Sequence, residues 1–237
     1  MKAKTLLIAA AALAAGVISS QAQVYSQNIV GYANVVTASS GLNYLVSVPF
    51  KVGVSNGCNE VFASAPDYTT LLVWNPAASG FATFQKDSGS ATGWTDGNSP
   101  VSPVSLPVGM GFFITPGQDN TTNTFAGVIA VAVGTSNITT FASSGLNYLV
   151  GAPVPYAGSV TNGNNSTGGL NMNALPDYTT LLIWDSASSG FATYQRDSGS
   201  ATGWTDGNSP LNPPSLNVGQ GFFLTPGVDG AQWTVGL

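Results

Sequence analysis

The sequence predicts an all-β protein: two tandem β-sandwich-like units produced by an internal duplication and joined by one long shared strand. Three observations carry this. Apolar or alternating runs of roughly 5–6 residues, the usual strand length, are punctuated by Gly, Pro and Asn throughout. No window beyond the amino-terminal apolar run holds a helical period for long. A long block is also written twice: Pro66–Gly117 returns as Pro176–Gly227 with 12 changes in 52 positions, leaving 40 identical. Repeats of this kind fix the architecture before any local reading does.

Taken in order, Met1-Lys-Ala-Lys4 and the uncharged run Leu6–Ile18, followed by Ser20-Gln-Ala22, read as a signal peptide over residues 1–22. The mature chain then divides into a first unit at 23–130 and a second at 131–237. Within the first unit, Leu42–Val48, Thr70–Trp74, Phe81–Lys86 and Gly111–Thr115 are expected strands, and Asn75–Gly80 is a hairpin connection. Val73 and Ile183 support extended chain through β-branching. Gly109-Met-Gly-Phe-Phe113 and Gly219-Gln-Gly-Phe-Phe223 lack the Lys and helix of a phosphate loop, so they read as strand entries with Phe for the core. The second unit carries the insertion Asn162–Gly169 in an expected loop.

At the boundary, Thr124–Val133 contains no strong turn signal and reads as one strand that closes the first unit and opens the second. Aligning Gly31, Gly127 and Gly236 makes its first half match Trp233–Leu237 and its second half match Asn28–Val36. On that reading the joint is half built at each end of the chain. The opening strand (Ile29, Val30, Gly31, Tyr32, Ala33, Val35) is then expected to add to the closing strand of a neighbour (Trp233, Val235, Gly236, Leu237). Such a heterologous contact propagates into an open filament. A two-domain monomer, with both terminal strands paired at home, is the alternative.

Composition narrows the chemistry. Only 6% of residues are charged, there is no His, and Glu60 and Cys58 are the only ones of their kind. Without Lys2 and Lys4 the net charge moves from −5 to −7, which leaves no basic surface for nucleic acid. No later segment is apolar over the ~18 residues a membrane helix needs. Cys58 either packs as a small apolar residue or pairs between chains. A Ser-His-Asp triad is excluded for want of His, and zinc for want of ligands. No enzyme activity, catalytic residue, resident metal or cofactor is expected.

The stretch Asp87–Pro100, DSGSATGWTDGNSP, recurs letter for letter as Asp197–Pro210. Asp87, Asp96 and Asn98 invite weak calcium binding in the Asp87–Asn98 and Asp197–Asn208 loops, but the EF-hand spacing is missing. Asp-Gly-Asn and Ser-Gly are turn formers, so a structural loop is the economical reading. Trp94 and Trp204 within these loops either stack on a sugar or anchor the loop on the sheet. Asn120, Asn137, Asn164 and Asn165 head N-glycosylation triplets.

Val24–Val35, Leu42-Asn-Tyr-Leu-Val46, Leu72-Val-Trp74, Gly93-Trp94 and Leu106–Phe113, with Leu182–Trp184, Gly203-Trp204 and Leu216–Phe223, carry a resemblance. With these the chain resembles uncharacterised secreted β-sandwich repeat proteins of environmental Gram-negative bacteria, of verrucomicrobial and planctomycete type. The resemblance implies export and a surface or matrix role. Donor-strand pilins are similar in mechanism alone. The functional expectation is therefore a secreted, extracellular or cell-surface filament subunit whose partner is itself. A monomeric carbohydrate-binding or adhesive module using Trp94 and Trp204 is the alternative, with glycans as partners.

Overall fold

A computed structural model describes residues 30–75, 78–132, 134–163 and 169–237. The expected signal peptide, Ile29, Asn164 and Asn165 lie outside the described residues. The chain is all-β, with antiparallel pairing throughout the described ladders.

In the first unit, β2 (Tyr44–Ser47), β6 (Gly111–Thr115), β3 (Thr70–Asn75), β4 (Gly80–Lys86) and β5 (Trp94–Thr95) lie side by side in that order as a five-stranded sheet. A two-stranded ribbon of β1 (Val30–Thr37) and β7 (Thr121–Val128) packs over one face of it. A single helical turn, α1 (Cys58–Val61), plugs the side of that core with Cys58 and Val61. The second unit repeats this. Its sheet runs β9 (Tyr148–Gly151), β15 (Gly221–Thr225), β11 (Thr180–Asp185), β12 (Gly190–Arg196), β13 (Trp204–Thr205), and its ribbon is β8 (Ser136–Phe141) with β16 (Ala231–Gly236). A short pair, β10 (Gly158–Ser159) and β14 (Ser215–Leu216), and a 3-10 turn at Met172–Ala174 take the place of α1.

Side-chain alternation explains how three cores arise from two sheets. Phe112, Ile114, Leu71 and Val73 face the ribbon of their own unit. The alternate residues Phe113, Leu72 and Trp74, with Leu45 of β2, face the other unit, where Phe223, Leu182, Trp184 and Leu149 meet them. Being buried on both faces is why Gly111–Thr115 reads as continuous apolar sequence. The two sheets thus form a sandwich between the units, closed outside by the ribbons.

Three expectations about the boundary are corrected. The strand expected over Thr124–Val133 stops at Val128, and β8 begins only at Ser136. Ile129 packs on the first core and Val131 on the second, so the chain changes core within two residues. A turn closed by Thr135 N–H to Ala132 C=O at 3.0 Å follows. The glycine alignment is also out of register. Gly31 pairs across to Gly127 inside the first unit, whereas Gly236 faces Ser136. Counting from Asp119 and Asp229, which accept matching bonds from Ser40 and Ser144, Gly236 corresponds to Ala126. A slip of one residue exchanges the two faces of a strand. Finally, the terminal strands are paired at home: Val30–Thr37 with Val128–Thr121, and Trp233, Val235 and Gly236 with Thr139, Asn137 and Ser136. Leu237 C=O accepts the Gly134 N–H at 3.1 Å.

Candidate binding sites on the loops and at the joint

The joint between the sheets is reciprocal. The Trp74 indole N–H donates to Asn147 C=O at 2.7 Å, and the Trp184 indole N–H donates to Asn43 C=O at 2.7 Å. Ser47 N–H reaches Gly219 C=O at 2.8 Å, and Gly151 N–H reaches Gly109 C=O at 2.9 Å. Trp74 sits edge-on to Phe223, and Trp184 edge-on to Phe113. Residue i meeting j′ while i′ meets j is the signature of an isologous, twofold contact, which closes rather than propagates. The expected head-to-tail joint is therefore not the joint inside the chain.

The repeated loop is anchored from beneath. Trp94 and Trp204 are fully buried, and their indoles donate to Asn59 Oδ1 at 2.5 Å and Asn173 Oδ1 at 3.0 Å. Both are thus corrected from glycan contacts to loop anchors. The carboxylates above them serve turns. Asp87 Oδ1 accepts the Gly89 N–H at 2.9 Å, and Asp96 Oδ1 accepts those of Ser99 at 2.8 Å and Asn98 at 2.9 Å. The Ser99 N–H, then the Asn98 N–H, hold the Asp96 carboxyl below its ordinary range. Among the described residues no cluster of three acids or thiols is placed to hold a metal.

A polar pocket of about 280 Å³ opens beside the second copy of this loop, lined by Tyr178, Gln195, Asp197, Ser200, Thr205, Gly207, Asn208 and Pro210. Tyr178 is the unusual member. Its φ is +67° and that of its counterpart Tyr68 is +68°, left-handed backbone that costs an L residue about 1–2 kcal/mol. The turn is closed by Thr179 N–H to Pro176 C=O at 3.2 Å, with Tyr178 third in it, where such turns usually take Gly. Neither tyrosine repays that cost by burial, being 72% and 74% exposed. All eight lining residues are identical in the first unit, as Tyr68, Gln85, Asp87, Ser90, Thr95, Gly97, Asn98 and Pro100. Sequence reasoning missed Tyr68 and Tyr178; Pro-Asp-Tyr-Thr carries no signal that its third residue adopts positive φ.

A second opening, a groove of about 570 Å³, runs beside β1 where the two units meet; Asn34, Tyr44, Trp184, Asn217 and Gln220 are among its walls. Of the expected glycosylation positions, Asn120 stands in an exposed turn at φ +54° and Asn137 lies exposed on β8. In the expected polymerisation strand, Ala33 is buried and Val35 half-buried, facing the core, while Val30 and Tyr32 face outward and Gly31 lies against Phe50. Trp233 and Val235 are buried in the second core. The chain matches no known family of domains, no curated protein and no solved structure.

Proposed function

We propose that this chain is an exported, non-catalytic adhesive module that binds carbohydrate at two equivalent surface pockets, one on each unit. One observation carries the reading: an exposed tyrosine is held in strained backbone beside a pocket of hydroxyl, amide and carboxylate groups in the second unit, and the same eight residues, with the same strained tyrosine, stand in the first. Strain retained without burial is characteristic of binding positions rather than of packing. An aromatic face beside hydrogen-bonding groups suits a sugar ring, which offers C–H surface and hydroxyls together. Two like pockets on one rigid body would give avidity for a repetitive surface.

The test is a glycan array probed with the mature protein. For the glycans the paired pockets take, binding should fall to a weak, monovalent level with Tyr178→Ala alone, and that two-site binding should be lost altogether with Tyr68→Ala added. Glycan binding indifferent to both substitutions would defeat the reading.

One observation favours a second reading, assembly of copies into a surface filament. On the outward face of the β1–β7 ribbon, β1 exposes three large apolar side chains, Val30 at 70%, Tyr32 at 74% and Val36 at 61%. Among the described residues β1 pairs only with β7, so its other edge is open to strand addition. Strand exchange would first have to break the β1–β7 pairing. Negative-stain images showing discrete particles at every concentration would dismiss this reading.

A further inference from the structure

The two units differ at the groove beside β1 in a patterned way. Asn217 and Gln220 stand where the first unit has Pro107 and Met110, and Asn34 stands where the second has Ile138. Each of these three groove residues thus carries an amide where its counterpart carries no hydrogen-bonding side chain. The backbone underneath is the same. Gln220 N–H closes on Asn217 C=O at 3.1 Å and Met110 N–H on Pro107 C=O at 3.0 Å, with Gly219 and Gly109 at φ +75° and +82°.

Two of the amides are oriented by their neighbours. Gln220 Oε1 accepts the Asn217 N–H at 2.9 Å, and Asn34 Oδ1 accepts the Thr124 hydroxyl at 2.8 Å. Those bonds orient each amide and leave its NH₂ available to donate to a ligand at the groove. Tyr44 and the partly exposed Trp184 supply ring surface, and among the described residues no charged side chain lines the opening. Uncharged donors, ring surface and a volume within the range of small-molecule sites describe a neutral, acceptor-rich ligand.

From this we propose that the groove is a separate site for a stretch of neutral oligosaccharide, one per chain, with Asn34, Asn217 and Gln220 setting its specificity. It stands on its own residues, independently of the paired tyrosine pockets. A peptide strand is the competing occupant, because β1 offers a free edge. Strand addition reads main chain, and among the described residues β8 likewise pairs only with β16, so its other edge is equally open. The difference between the units lies in side-chain amides, which favours the saccharide.

The experiment is calorimetric titration of the full mature chain carrying Tyr68→Gly and Tyr178→Gly, which removes the paired pockets. The probes are neutral hexasaccharides of glucose, mannose, xylose and N-acetylglucosamine at millimolar concentration, with a Val/Thr-rich hexapeptide and an anionic oligosaccharide beside them. One neutral hexasaccharide should bind with a stoichiometry of one. Adding Asn217→Pro and Gln220→Met, residues the first unit already holds on the same turn, should weaken it by about tenfold or more, with the melting curve unchanged. No binding of any neutral probe, preference for the peptide or the anionic probe, or binding indifferent to Asn217→Pro with Gln220→Met would each overturn the proposal. Loss of array binding in the tyrosine variants alone bears on the paired pockets and leaves the groove untouched.

Discussion

Replacing Tyr68 and Tyr178 by Gly separates a binding role from a structural one. At φ +68° and +67° each tyrosine costs about 1–2 kcal/mol that Gly does not. Gly returns part of that gain through the entropy of the unfolded chain, about 0.5–1 kcal/mol. About a quarter of each residue is covered, since 74% and 72% remain exposed. Losing that contact, roughly 50 Å² at about 25 cal/mol per Å², costs about 1 kcal/mol. The three contributions nearly cancel, so stability should stay within about 1 kcal/mol of the parent at each site. For a chain of 237 residues that is a shift in melting temperature of about 2–4 °C or less. Thermal unfolding followed by far-ultraviolet circular dichroism measures it, and the glycan array measures binding in the same preparations. The expected pattern is unchanged melting with the bivalent array binding abolished. A fall of more than about 8 °C would show that the rings hold the fold together, and retained bivalent binding would show that they do nothing for a ligand; either result refutes the reasoning.

Trp94→Ala or Trp204→Ala should be costly, about 3–5 kcal/mol, because each removes a fully buried indole and leaves Asn59 or Asn173 without its partner; urea titration measures the loss. Gly127→Ala should destabilise by about 2–4 kcal/mol. A methyl there would stand 2.3 Å from Lys51 C=O, against the two bonds at 2.8 and 3.0 Å that tie Lys51 to Val128. Hydroxyl and N–H donors from Ser88 and Ser198 hold Asp67 and Asp177 below the ordinary carboxylate range, as the donors of Ser40 and Ser144 hold Asp119 and Asp229. A depressed folded value favours the folded state once the group is ionised, above the unfolded value near ~4, and that contribution is lost as pH falls through the folded one. With no His in the chain, urea midpoints measured across pH should be flat from about 5 to 8 and drop below about 4; a transition near pH 6 would contradict this. Burial pushes the Cys58 thiol up, so a thiol reagent should label it only after denaturant is added, and rapid labelling of the native protein would refute its place in the core.

Local pattern delivered the elements whose cause is local. Gly111–Thr115 is a strand where alternation and its glycine placed it, and β3 and β4 fall within a residue of the expected bounds. The break after Val128 was not legible, because nothing between Val128 and Val133 terminates a strand chemically. It ends since Ile129 and Val131 belong to different cores, a fact about tertiary structure. The same holds for Trp74 and Trp184, apolar strand residues whose sequence does not say which unit they meet, and which reach into the other. Trp94 and Trp204 were ambiguous for a different reason. A tryptophan in a polar loop reads alike whether a sugar or an asparagine receives it, and only Asn59 and Asn173, distant in sequence, decide. Asp197 and Asn208 stand out in the sequence by their side chains, whereas Tyr178 is marked only by a backbone angle that the sequence does not display.

The reciprocal joint also governs how the two halves are able to drift. Toward their private cores they have already diverged, with Val73 against Ile183, Phe84 against Tyr194 and Ile114 against Leu224. In the apolar centre of the face they share they have not: Asn43, Leu45, Leu72, Trp74 and Phe113 are the same residues as Asn147, Leu149, Leu182, Trp184 and Phe223. A change on one side of a twofold contact meets a partner fitted to the old shape, and the matching change on the other side must arise separately. The centre of the shared face therefore acts as a ratchet, locking the copies together there while leaving its rim and their outer walls free to specialise.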